Sequence, residues 1–298
     1  TQNRHYLAHE YFNEHWVPMY FAQMAECLDA AKLQFACSAN FLDYVPKVHF
    51  TAEQLAMLDE IRDPVLQQGV RDFMVNQRFR KDYWVRGARR LSPLARAEKL
   101  RQMQVMLMLP RDEVRVKFMG ALGESSLMET VVQPVLGQLE GHQIRSIGEI
   151  EQAVVGEQVN FQQMTQALVV LIATGQLELA QSPNVVVEAR KQTDRLNARL
   201  LQMALASSDV AHLASPVTGG GVLVGRFQQL FLLARSEGNQ HPAEWAQFAW
   251  NALQQMDQVV VKDGKALGTA EDNLTELMAQ AKDFEAKRLP LLQALQIA

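Results

Sequence analysis

His5-Tyr6-Leu7-Ala8-His9-Glu10-Tyr11-Phe12-Asn13-Glu14-His15-Trp16-Val17-Pro18-Met19-Tyr20-Phe21 opens the chain. Tyr6, Tyr11, Phe12, Trp16, Tyr20 and Phe21 place large rings here, beside three of the seven histidines. Termini are normally polar and loosely held, and a free end of this composition would leave several rings in water. The chain also starts with Thr1 rather than Met. The expectation is the C-terminal part of a longer protein, with this stretch packed against a partner.

Outward from that stretch, 298 residues predict about two domains, and three small ones also fit. A chain that is 48% hydrophobic and 21% charged is globular, which excludes disorder. No apolar run is long enough for a membrane span, and there is no signal-peptide pattern. Cys27 and Cys37 are too few for a disulfide scaffold or a four-cysteine zinc site, so a reducing, cytoplasmic setting is expected. A net charge of -4 argues against bulk binding to nucleic acid or anionic membrane. One local exception runs from Asn76 to Arg90, where Arg78, Arg80, Lys81, Arg86, Arg89 and Arg90 face a single acid, Asp82, with Phe79, Tyr83 and Trp84 interleaved.

The pattern along the chain is mainly α with small β elements, an α+β class. Residues 1–110 read as a helical domain: helices at Met19–Lys32, after the Thr51-Ala-Glu-Gln54 capping box, at Val65–Gln77 and from Ser92-Pro93 to about Leu107, with a short strand near Leu33–Ala36. Residues 111–190 read as winged-helix-like. Val114, Val116 and Phe118 alternate as a strand, and Ser126, Ser146 and Asn160 each start a helix. Strands at Leu177–Ala180 and Val185–Glu188 then form a hairpin, the order of a winged helix. Residues 191–298 read as a third, helical domain, broken by a loop from Asp209 to Gly225 and holding helices at Arg226–Ser236, Pro242 to about Val261 and Thr269–Arg288.

Several motifs invite a chemical reading. His5 and His9, four apart, would share a helix face as two metal ligands, but the zincin pattern needs a second His where Asn13 lies four residues after His9. Thr218-Gly219-Gly220-Gly221 lacks both a good preceding strand and the Walker Lys-Ser/Thr, so a structural loop is the better reading. The basic aromatic patch fits either phosphates and stacked bases or a domain interface in which Arg80 or Arg86 meets a carboxylate. The middle block carries no Lys or Arg between Arg145 and Arg190 but holds Glu149, Glu151, Glu157, Glu178 and Glu188, so a winged helix here is expected to be a protein-contact module rather than a DNA reader. No serine or cysteine has the context of a nucleophile.

Tyr6-Leu7-Ala8-His9-Glu10-Tyr11-Phe12, then Trp16, Pro18-Met19-Tyr20-Phe21 and, further on, Gln77-Arg78-Phe79-Arg80 resemble the predicted methyltransferase regulatory domain family over roughly residues 4–90. In that family the region follows an S-adenosylmethionine-dependent methyltransferase domain, and relatives include rickettsial protein-lysine methyltransferases. The resemblance implies a non-catalytic regulatory or substrate-recognition region, with His9, Glu10, Trp16, Tyr20, Phe21, Arg78 and Arg80 facing a partner or substrate. No catalytic, cofactor-binding or metal-binding residue is assigned to this chain, because the strand, glycine turn and ribose-binding acid of a class I methyltransferase do not occur in order. S-adenosylmethionine is expected on the catalytic domain. The expected partners are that domain, in cis, and a protein substrate, with a homodimer as a further option and neither nucleic acid nor membrane. The alternative reading is a winged-helix nucleic-acid binder that uses residues 76–90.

Overall fold

The computed structural model describes residues 4–12 and 14–298, with His5 by its backbone alone. Helix accounts for 55% and strand for 13%, in small sheets, so the class is α+β and mainly helical. The chain divides into two compact units, Thr1–Leu91 with Met119–Ser125, and Ser92–Phe118 with Ser126–Ala298.

In the first unit, α1 (Arg4–Tyr11) and α2 (Phe21–Asp29) are followed by β1 (Gln34–Ser38), α3 (Ala52–Glu60), α4 (Pro64–Val75) and β2 (Asp82–Val85). The expected capping box starts α3: Thr51 Oγ1 accepts from Gln54 N–H at 3.3 Å, and Gln54 Oε1 accepts from Thr51 N–H at 2.9 Å. Asp63 caps α4 with Pro64 in its first turn, and Asn76 ends it in the left-handed region at φ 51°. β1 and β2 pair antiparallel with a bulge between Phe35 and Cys37.

The second unit begins with α5 (Pro93–Gln102) and β3 (Gln104–Leu107). β4 (Lys117–Gly120) and β5 (Gly123–Ser126) form a hairpin whose tip, Met119–Ser125, groups with the first unit. Then come α6 (Glu129–Gln138), β6 (Arg145–Ser146), α7 (Ile147–Val154), α8 (Phe161–Ala173), β7 (Leu177–Ala180) and α9 (Pro183–Met203). β3 is the centre of a sheet ordered β6-β3-β7, all antiparallel. It is buried on both faces: Val105 and Leu107 join the core of α6, α7 and α8, while Met106 joins the core formed by the following helices. The remainder is β8 (His212–Ser215), β9 (Gly220–Leu223), α10 (Arg226–Ser236), α11 (Pro242–Gln255), the short hairpin β10 (Val261–Lys262) and β11 (Lys265–Ala266), α12 (Ala270–Asp283) and α13 (Leu289–Ala294). A π-helical turn, Phe284–Arg288, links the last two.

Several expectations need correction. Val185–Glu188 is not a returning strand but the first turns of α9. Ser182-Pro183 starts that helix with a proline at its first position, and three β-branched valines masked the signal. The third strand of the sheet comes instead from upstream, as β3, in residues expected to end a helix; that helix stops at Gln102. The strand expected from Val114 to Phe118 lies at Lys117–Gly120. Ser126 does not cap α6, because its hydroxyl donates to the Leu127 carbonyl and Met128 holds the cap position. The expected loop from Asp209 to Gly225 contains the β8–β9 hairpin, and the helix expected to reach Val261 ends at Gln255.

Candidate functional site

Arg80 is the centre of the first unit. Its Nη1 donates to Asp72 Oδ1 at 2.7 Å, its Nε to Asp82 Oδ2 at 2.8 Å and its Nη2 to Gln68 Oε1 at 2.9 Å. The guanidinium lies 4.3 Å from the centroid of the Phe21 ring and 5.5 Å from that of Phe35. Phe21, Phe35 and Trp84 in turn form a ring cluster, with centroids 5.2 Å, 5.4 Å and 5.7 Å apart. Burial alone would lower the Arg80 pKa, but hydrogen bonds and charge from Asp82 and Asp72 raise it, so the cation is held charged. Gln68 and Asp72 stand one turn apart on α4, and β2 turns Asp82 and Trp84 inward while Tyr83 points out. One residue thereby ties α2, β1, α4 and β2 together.

The outside of this assembly is aromatic. Tyr20 stacks on Phe73 of α4 with centroids 5.7 Å apart, and the two are 68% and 74% exposed, while Phe79 is 80% exposed. Their neighbour Phe21 is only 6% exposed, which separates the surface rings from the core ring next to them. Tyr20 keeps extended backbone as the residue before α2, its N–H donating to Gln23 Oε1 at 2.9 Å, so its ring leaves the core just before Phe21 enters it. Arg78, Lys81, Arg89 and Arg90 are exposed. Arg86 donates to the Ala31 carbonyl at 3.0 Å.

The structure therefore unites Phe21 and Arg80 inside the unit, brings Tyr20 to its surface and leaves Arg78 in solvent. His9 and Glu10 lie exposed on α1 and Trp16 is exposed after it; among the described residues no ring contact or hydrogen bond joins them to Tyr20 or Arg80. The His5 part of the proposed metal pair lies outside the described side chains. Among the described residues no group of three His, Cys, Asp or Glu side chains is placed to hold a metal. The glycine run closes the β8–β9 hairpin: Gly219 ends its turn and Gly220 and Gly221 begin β9, while Ser215 Oγ accepts from Val217 N–H and donates to the Leu295 carbonyl at 2.8 Å. Phe73, Asp72 and Gln68 carry no sequence signal of a site. Their helical spacing is readable, but not the meeting of Asp72 and Gln68 with Arg80, nor of Phe73 with Tyr20, across a reversed chain.

Residues 3–86 match the family model of the predicted methyltransferase regulatory domain. An uncharacterized protein of Synechocystis sp. is 36% identical over 297 residues, covering 100% of this chain and 58% of that protein. The structure of PKMT2 from Rickettsia typhi in complex with AdoHcy aligns over 100% of this chain and 62% of that one, with a TM-score of 0.57 and 12% identity. A second structure of PKMT2 from Rickettsia typhi gives 0.51 and 11% over 61% of that chain. At such identity the two structures show the shared fold, and the chain spans about three-fifths of the length of these relatives. Residues 3–86 are thus similar to the predicted methyltransferase regulatory domain.

Proposed function

We propose that this chain is the non-catalytic regulatory or substrate-recognition region of an S-adenosylmethionine-dependent methyltransferase acting on protein, in the cytoplasm. The observation that carries the reading is the exposed Tyr20–Phe73 stack, with Phe79, on a regulatory domain braced from behind by Arg80. Exposed rings held in fixed positions supply contact area at small entropic cost, which is what a docking surface needs. Tyr20 would make that contact, Phe21 and Arg80 would hold it in place, and His9, Glu10, Trp16 and Arg78 would extend it toward the catalytic domain or the protein substrate. The cofactor would be held by that catalytic domain in cis. The three-helix block with its β6-β3-β7 sheet would act as a winged-helix-like second contact surface, and a homodimer is compatible with this arrangement. The test is calorimetric titration of the chain with S-adenosylmethionine: no saturable heat is expected, and one-to-one binding would contradict a non-catalytic role.

A second reading has its own observation. Arg78, Phe79, Lys81 and Tyr83 are all exposed within six residues, a cation-and-ring set suited to single-stranded nucleic acid. It requires oligonucleotide binding that weakens steeply with salt and again in Arg78→Glu/Lys81→Glu. Salt-insensitive or absent binding removes it.

A further inference from the structure

Residues 119–125 are flanked on both sides by chain of the second unit, yet they group with the first. Two backbone hydrogen bonds of the tip are to residues 48 and 49. Leu122 N–H donates to the Val48 carbonyl at 3.2 Å, and Ala121 N–H donates to His49 Nδ1 at 3.2 Å. Gly120 lies so close to Val48 that a Cβ added there would stand 2.9 Å from the Val48 Cβ, so the tip approaches as only glycine allows.

The other ring nitrogen of His49, Nε2, lies 3.2 Å from the Leu42 carbonyl. A carbonyl can only accept and a backbone amide can only donate. The imidazole must therefore be neutral, with its hydrogen on Nε2 and its lone pair on Nδ1. A second proton would set N–H against N–H at Ala121 and remove that bond, leaving the tip with the Leu122–Val48 bond and the Gly120–Val48 contact.

The charged groups facing the ring are Asp43, on the turn that carries Leu42, and Arg71 of α4, which are paired with each other at 2.9 Å. Burial is the main force that lowers the His49 pKa, with Arg71 adding to it against the Leu42 carbonyl and Asp43. We propose that His49 is a proton-operated latch on the 119–125 tip, closed while the imidazole is neutral and released when it is protonated.

The sign follows from linkage. The closed state binds the proton less well than the open one, whose histidine titrates near the ordinary value of about 6.5. The latch is therefore fully closed above that pH and weakens as pH falls toward the lower closed-state value, by up to roughly tenfold per pH unit.

The test is hydrogen exchange on the whole chain at pH 7.5, 6.5 and 5.5, corrected for intrinsic rates, with the His49 ring titrated by NMR. Protection of 119–125 should fall below about pH 6.5 by up to roughly tenfold per unit while α4 keeps its protection. His49→Gln should abolish the pH dependence, whatever its level of protection. Equal protection at pH 7.5 and 5.5, or the same loss in His49→Gln, would overturn the latch. Should His49→Gln not fold, the wild-type chain still decides: the exchange midpoint must coincide with the His49 ring midpoint, and separate midpoints would overturn the proposal.

Discussion

Arg80 spends its donors inside the protein, on two carboxylates, a glutamine side chain and two ring faces. Asp82 and Asp72 keep only 8% and 17% of their side chains exposed, so removing the cation would strand two nearly buried charges. Arg80→Ala should destabilise the first unit by about 3–5 kcal/mol, measured by urea unfolding followed through tryptophan fluorescence. Arg80→Lys should restore little, since a single ammonium cannot reproduce the planar fork. Arg78→Ala, two residues away and exposed, should change stability by no more than about 0.5 kcal/mol. The sequence displays both arginines in one basic run and gives no residue-scale signal for which turns inward. The alternation of β2, with Asp82 and Trp84 inside and Tyr83 outside, is the local clue that an acid faces the core and wants a cation. That Asp72 and Gln68 meet the same group depends on a chain reversal that no local pattern encodes.

Helix starts marked by a reciprocal cap are legible in sequence, because such a cap is a contact between residues three apart. Ser146 and Glu149 satisfy each other's backbone N–H at 2.7 Å and 3.1 Å, and Asn160 with Gln163 does so at 3.0 Å and 2.9 Å. Thr51→Ala and Asn160→Ala should each cost about 1 kcal/mol, visible as a lower urea midpoint at unchanged m-value. Strands were less legible, since four apolar residues read alike at the end of a helix and in a buried strand. Gln104–Leu107 is the instance: its periodicity continues that of the preceding helix, but Met103 at the end of α5 takes extended backbone and the chain enters the centre of a sheet. Leu107→Ala should cost about 2–5 kcal/mol, because Leu107 is 1% exposed and packs within the core of α6, α7 and α8. Gly120→Ala should detach the hairpin tip at every pH, read as loss of exchange protection in 119–125 with α4 unaffected.

At the scale of the molecule, the aromatic opening motif pointed to the family model that matches residues 3–86, while its physical division of labour appeared only in three dimensions. Phe21 is core and Tyr20 is surface although they are adjacent, and the ring that completes the surface pair, Phe73, comes from a helix more than fifty residues away. No described helix is long and apolar enough to cross a membrane. Under the docking reading, the surface rings act on a partner without contributing to the unit's own stability. Tyr20→Ala/Phe73→Ala should therefore leave the unfolding midpoint nearly unchanged while altering whatever docks there. The decisive measurement is methyl transfer to protein by a full-length relative in which this region accompanies the catalytic domain, comparing the intact enzyme with that double variant and with Phe79→Ala. A drop of tenfold or more in kcat/KM at unchanged stability is expected, and methyl transfer that remains at the intact rate would contradict the docking role.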